Sequence, residues 1–347
     1  LLTTFSGTLA LSASAGASAA TGRATAHEFD SPTGLAFGGG KLWVTNAANS
    51  SVSEIDPTSG TWLGSLSSPR FGFNRPTAIV GYQGELFVAN SNDTVTELRA
   101  SNGTLVRRIG GRAYHFSSPV AITTIGNDVL VLNSGASGSV TVFSAGTGAL
   151  IRTISGPAYA MDQPAAFTTS GNDVWIADEG NNSVTQLDVT TGQLVRVISA
   201  QGLSSPDGIA VGSGMVWVAN NASSSATQIS ETTGAVLATK TDQDGSYGFW
   251  NPTAMISTGY SIYTMTPYGT SPMVTKMSAS TGHPYWFMCN TNGPYYFSEL
   301  SAFAISNGNL WVASRSGANS KTPGASTGSL TELSLGSGQL IKTLPSH

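Results

Sequence analysis

A single cysteine, Cys289, in 347 residues excludes an internal disulfide and a cysteine-based metal site, so packing and hydrogen bonds must hold the fold together. Charge is scarce too: Asp, Glu, Lys and Arg make up 10% of the chain, and the 15 Lys and Arg are scattered rather than clustered. Without a basic stripe there is no footprint for a phosphate backbone or an anionic membrane, which argues against a nucleic-acid partner. No apolar stretch reaches the roughly 18 residues that a membrane-spanning helix needs. The four histidines, His27, His115, His283 and His347, accompany no G-x-S-x-G, H-E-x-x-H, P-loop or EF-hand pattern. What remains to face water is Gly, Ser, Thr and Asn, a surface polar without being ionic, as expected of a secreted, extracellular or cell-surface protein.

What the sequence does contain is a repeat. A bulky residue inside a short apolar strand recurs at Trp43, Phe87, Leu130, Trp175, Trp217, Tyr263 and Trp311, at intervals of 44, 43, 45, 42, 46 and 48. Nine positions earlier stands Gly34, Ala78, Ala121, Ala166, Gly208, Ala254 or Ala302. In six of the seven copies a proline precedes that small residue by two positions, which suits an inner strand crowded by its counterparts around an axis. Three residues before each proline position is Phe29, Phe73, Phe116, Met161, Leu203, Phe249 or Phe297, an apolar series expected in the core. After the bulky residue comes an alternating strand, such as SVSEID at 51–56 or SVTQLD at 183–188, whose period of two marks a half-exposed strand. Then follow Gly60, Gly103, Gly148, Gly192, Gly234, Gly282 and Gly338, expected in hairpins that need positive φ. Four short strands per copy cannot bury their faces alone, and stacking seven such sheets radially solves the problem. The expected architecture is all-β, a seven-bladed β-propeller over 29–347 preceded by an extended N-terminal arm, or a signal-peptide remnant, over 1–28.

The segment VWIADEGNNSVTQLD at 174–188 resembles the NHL repeat, and LWVTNAANSSVSEID at 42–56 resembles the YVTN repeat. The resemblance runs from 30 to 344 and implies a propeller, while its families span recognition modules, sensors and a few enzymes. The repeats are also similar to those of the virginiamycin B lyase group, whose second strands end in F-T-E. Here the strand ends carry Asn46, Asn90, Asn133, Asp178, Asn220, Thr266 and Ser314. No histidine falls on a channel-lining strand, so the resemblance does not bring the lyase residues with it.

The mouth of the channel is expected to gather those strand ends and the loops between blades. Asn46, Asn90, Asn133, Asp178 and Asn220, with Tyr114, Tyr159, Tyr247, Trp250 and Tyr295, are therefore candidates for binding a glycan or a peptide. Asp178, Glu179 and Asp207 approach the same mouth from neighbouring blades. Neither a cofactor nor a catalytic residue is assigned. The expected function is a non-enzymatic extracellular module for recognition or assembly, and the alternative is a metal-dependent lyase or hydrolase at the channel mouth. In the arm, odd positions read Phe5, Gly7, Leu9, Leu11 and then alanines, while even positions are mostly Ser and Thr. Such alternation suits a strand with one buried face, so Phe5, Leu9 and Leu11 are candidate assembly residues through which the chain forms a homo-oligomer or fibre.

Overall fold

The computed structural model describes residues 29–242, 247–267, 272–290, 295, 297–315 and 328–345. Phe5, Leu9 and Leu11, the arm candidates, lie outside the described residues. The described strands form seven antiparallel sheets of four, each in chain order from the innermost strand to the outermost. Blade 4 is representative, with Pro164–Ser170 inside, then Asp173–Asp178 and Ser183–Asp188, and Gln193–Ile198 at the rim. Among the described residues there is no α-helix, and none long and apolar enough to cross a membrane. The chain is thus a seven-bladed all-β propeller.

The bulky series occupies one register throughout, in the second strand of each sheet, and no member is more than 1% exposed. Burying each side chain between neighbouring sheets stabilises the ring by roughly 1.5–3 kcal/mol. Of the apolar series ahead of the inner strands, six are buried and Phe73 is half-buried, stacked on the buried Phe71.

Among the described residues no strand is exchanged between the first and last blades, and the ring closes by side-chain packing and hydrogen bonds across the seam. Phe29, Leu35 and Ile55 of the first blade share a cluster with Trp311 and Leu330 of the last. The Lys342 ammonium, held by Glu332 at 3.1 Å, donates across the seam to the carbonyls of Pro57 and Thr58.

Each hairpin glycine has φ between 68° and 76°, and its N–H bonds to the carbonyl four residues earlier. A β-branched residue is strained at such a φ, and a Cβ on Gly192 would also stand 3.1 Å from the Arg152 guanidinium of the neighbouring blade. Gly192→Val is expected to destabilise by about 1 kcal/mol or more. A denaturation midpoint equal to that of the parent would contradict this.

Entry into every inner strand uses a left-handed residue. Ser31, Arg75, Ser118, Gln163, Ser205, Asn251 and Glu299 have φ of 41–52°, each directly before the proline or, in the last blade, before Leu300. In six sheets a register shift follows, so that the residue between the proline position and the small residue has no partner on the second strand. Such a bulge turns its side chain away from the ladder. Here it faces the axis.

Candidate functional site

The bulged position of six blades, with Thr253 at the same place in the unbulged sixth blade, builds the channel. Thr33, Thr77, Val120, Ala165, Asp207, Thr253 and Ser301, one from each blade, line a cavity of about 500 Å³ along with Phe167, Ile209, Met255 and Arg315. The small residues beside them mark where the blades come closest: a Cβ on Gly208 would fall 2.7 Å from the Ala254 backbone. Asp207 is the one acid of this ring. Burial, with the charge of Glu179 adding to it, raises its carboxyl to about 6.

The strand-end series sits elsewhere. Asn46, Asn90, Asn133, Asp178 and Asn220 have no exposed surface. The Asn46 amide donates to Ser51 and Ser53, Asn133 to Ser139 and Thr141, and Asn220 to Ser225 and Thr227, at 2.9–3.1 Å, with Asn90 reaching Thr96 at 3.2 Å. The side-chain carbonyls of Asn90, Asn133 and Asn220 accept backbone N–H groups from the incoming loop, from Asn74, Ser117 and Ser204 in turn. The third-strand hydroxyls then hold the same loop, Thr96 donating to the Phe71 carbonyl, Thr141 to Tyr114 and Thr185 to Tyr159. The series stays at the strand ends opposite Pro32, Pro76, Pro119, Pro164 and Pro206, but its side chains are buried in their own blades rather than open to a ligand at the mouth. Asn90, Asn133 and Asn220 thus tie the linking loop to their own blade, because a buried amide must find partners, and the alternating Ser and Thr of the third strand supply the rest.

Asp178 occupies the same position with a carboxyl. Its Oδ2 lies 2.8 Å from the Thr185 hydroxyl oxygen, whose proton is given to the Tyr159 carbonyl, while Oδ1 has no partner. Burial pushes the group up to about 8, with Thr185 opposing and the nearby Asp162 charge adding to the rise. In neutral solution it is therefore mostly a protonated acid, able to donate as the asparagines do.

Four of the five loop aromatics are half-buried. Tyr114 stacks on Phe116 at 5.6 Å, Tyr247 on Phe249 at 5.0 Å and Tyr295 on Phe297 at 5.5 Å. The Tyr114 and Tyr159 hydroxyls donate to the hairpin carbonyls of Gly148 and Gly192, at 2.7 and 2.8 Å. These rings help seal the blade junctions, which leaves Trp250, 65% exposed, as the member of the set open to a partner. His115 and His283 are exposed and away from the channel lining. Among the described residues no three of His, Cys, Asp and Glu are grouped to hold a metal ion. Cys289 is buried.

A third feature runs round the rim. Three residues after each hairpin glycine, on the outermost strand, stand Leu63, Val106, Ile151, Val195, Leu237, Tyr285 and Ile341. All but the half-buried Val106 are 37–56% exposed. The apolar third residue after the glycine was readable in the sequence, but its exposure was not.

No family model matches this chain, and no curated protein is similar to it at a significant level. Many solved structures do share its shape. The computationally designed Ika8 protein superposes with a TM-score of 0.65 at 17% identity, over 94% of this chain and 90% of that one. Virginiamycin B lyase from Staphylococcus aureus gives 0.64 at 16%, over 82% and 92%, and BamB from Moraxella catarrhalis gives 0.56 at 14%, over 84% and 81%. What they share with this chain is the fold. At such identities activity and partners do not transfer, and the likeness to NHL and YVTN repeats rests on the quoted segments.

Proposed function

We propose that this chain is a non-enzymatic extracellular propeller that assembles with copies of itself, the N-terminal arm of one copy adding as a strand to the rim of the next. The observation that carries this reading is the apolar residue left exposed at the same position on the outer strand of six blades. Among the described residues each outer strand pairs with one neighbour inside its sheet, which leaves its far edge to a donated strand. The arm has the matching pattern, with Phe5, Leu9 and Leu11 on one face of an alternating segment. All seven sheets already have four strands drawn from 32–345, so the propeller itself does not call for the arm. The low charge and the abundance of Ser, Thr and Asn support the extracellular part of this reading, and few charges also lower the repulsion between stacked copies.

The test compares the full chain with a variant lacking residues 1–22, by light scattering and electron microscopy. The full chain is expected to form concentration-dependent linear assemblies, and the truncated one to remain monomeric with an unchanged melting temperature. A monomeric full chain, a truncated chain that still assembles, or a secreted form beginning near Ala20 would overturn the reading.

A further inference from the structure

We infer that the central channel binds an alkylammonium group, with the ammonium at Asp207 and its methylene stem against the apolar wall formed by Val120, Phe167, Ile209 and Met255. The inference is independent of assembly through the arm. It starts from the bulge after Pro206, which takes Asp207 out of the ladder between the first and second strands of blade 5 and turns it into the cavity. None of the described residues forms an ion pair or donates a hydrogen bond to this carboxylate. The charge that acts on it is that of another acid, Glu179, which raises its pKa further.

A carboxylate on a cavity wall with no partner and a like charge beside it is costly, and the cost is removed by a cation that brings its own hydrogen-bond donors. The chain leaves that role open. The buried glutamates are each paired, Glu54 with Lys41, Glu97 with Arg107 and Glu332 with Lys342. Arg315, which also lines the channel, belongs to blade 7, whereas Asp207 belongs to blade 5, and the two are not in ion-pair contact. Hydroxyls of Thr33, Thr77 and Thr253 elsewhere on the ring can accept from an ammonium or from its water. An amine with an apolar stem satisfies the carboxylate and the wall together, which neither a free metal ion nor a neutral alcohol does.

The experiment titrates the full chain with hexylamine, 1-hexanol and hexanoate, read by ligand-observed NMR and calorimetry. Hexylammonium is expected to bind about tenfold or more tightly than hexanol, a difference on the order of one charge-assisted hydrogen bond, with hexanoate not binding. Asp207→Asn, close in shape and with its fold checked by circular dichroism, is expected to lose that preference. In the unmodified chain the preference should fade as the pH drops through about 6, a measurement that needs no variant. Equal binding of amine and alcohol, or an undiminished preference in Asp207→Asn, would overturn the inference. Light scattering on the same samples keeps this outcome separate from that of the assembly test.

Discussion

Asp178→Asn is expected to make this protein more stable at neutral pH, by an amount that grows as the pH is raised from about 4 to about 8. The native state holds a proton on Asp178 up to about pH 8, whereas the unfolded chain releases it near the ordinary 3.8. Between those values the unfolded state binds fewer protons, so stability falls as pH rises, by about 1.4 kcal/mol per pH unit at most. Below the lower value both states are protonated and the penalty vanishes. Above the upper value the native group ionises too, and the difference levels off. Asparagine has the same shape, cannot ionise, and has Ser183 and Thr185 in front of it just as Asn220 has Ser225 and Thr227. The gain at pH 8 is on the order of a few kcal/mol. Guanidinium denaturation of both proteins at pH 4, 6 and 8 measures it. A difference that does not change with pH, or a variant less stable at pH 8, would show that Asp178 does not hold its proton in the fold.

Trp217→Ala is expected to cost about 3–5 kcal/mol, since it empties a fully enclosed site between two blades. Trp217 packs with Phe249, Ile262 and Met277 of the following blade, and its indole N–H donates to the Ala279 carbonyl at 2.6 Å. The same position in blade 4 gives a control. Trp175 is equally buried, but its indole N–H has no partner. Replacing either by phenylalanine removes a similar volume, yet only Trp217→Phe also strands a carbonyl. Trp217→Phe should therefore cost about 1 kcal/mol or more beyond Trp175→Phe. Equal costs would mean that the cross-blade hydrogen bond adds nothing to cohesion.

The repeat was readable because the same physical demand recurs seven times. The hairpin glycines all need positive φ, and the bulky residues all fill the same gap between sheets, so both left an imprint at fixed spacing. Where the side chains of the strand-end series would point was not readable in the same way. Asn46 and its counterparts look like a polar ring at a mouth, yet they turn inward to the hydroxyls of the third strand. The hint lay in the paired Ser and Thr a few residues on, as in Asn220, Ser225 and Thr227. The channel ring left less of a trace. Thr33, Val120 and Asp207 share no chemistry, and it is the bulge after the proline position that brings them to one wall.

The sequence by itself determined the number of blades, the strands within each and the turns between them, because these follow from local backbone preferences and from the period of burial. Tertiary structure alone decided which polar side chains are spent inside and which remain available. An asparagine in a strand can satisfy its amide with its own blade, a loop or a ligand, and only the positions of the neighbouring strands select among them. The same holds for Asp178 and Asp207, identical in sequence terms. One is folded into a hydrogen-bonded knot and the other turned into an open channel, and burial with different neighbours gives the two carboxyls different protonation at neutral pH.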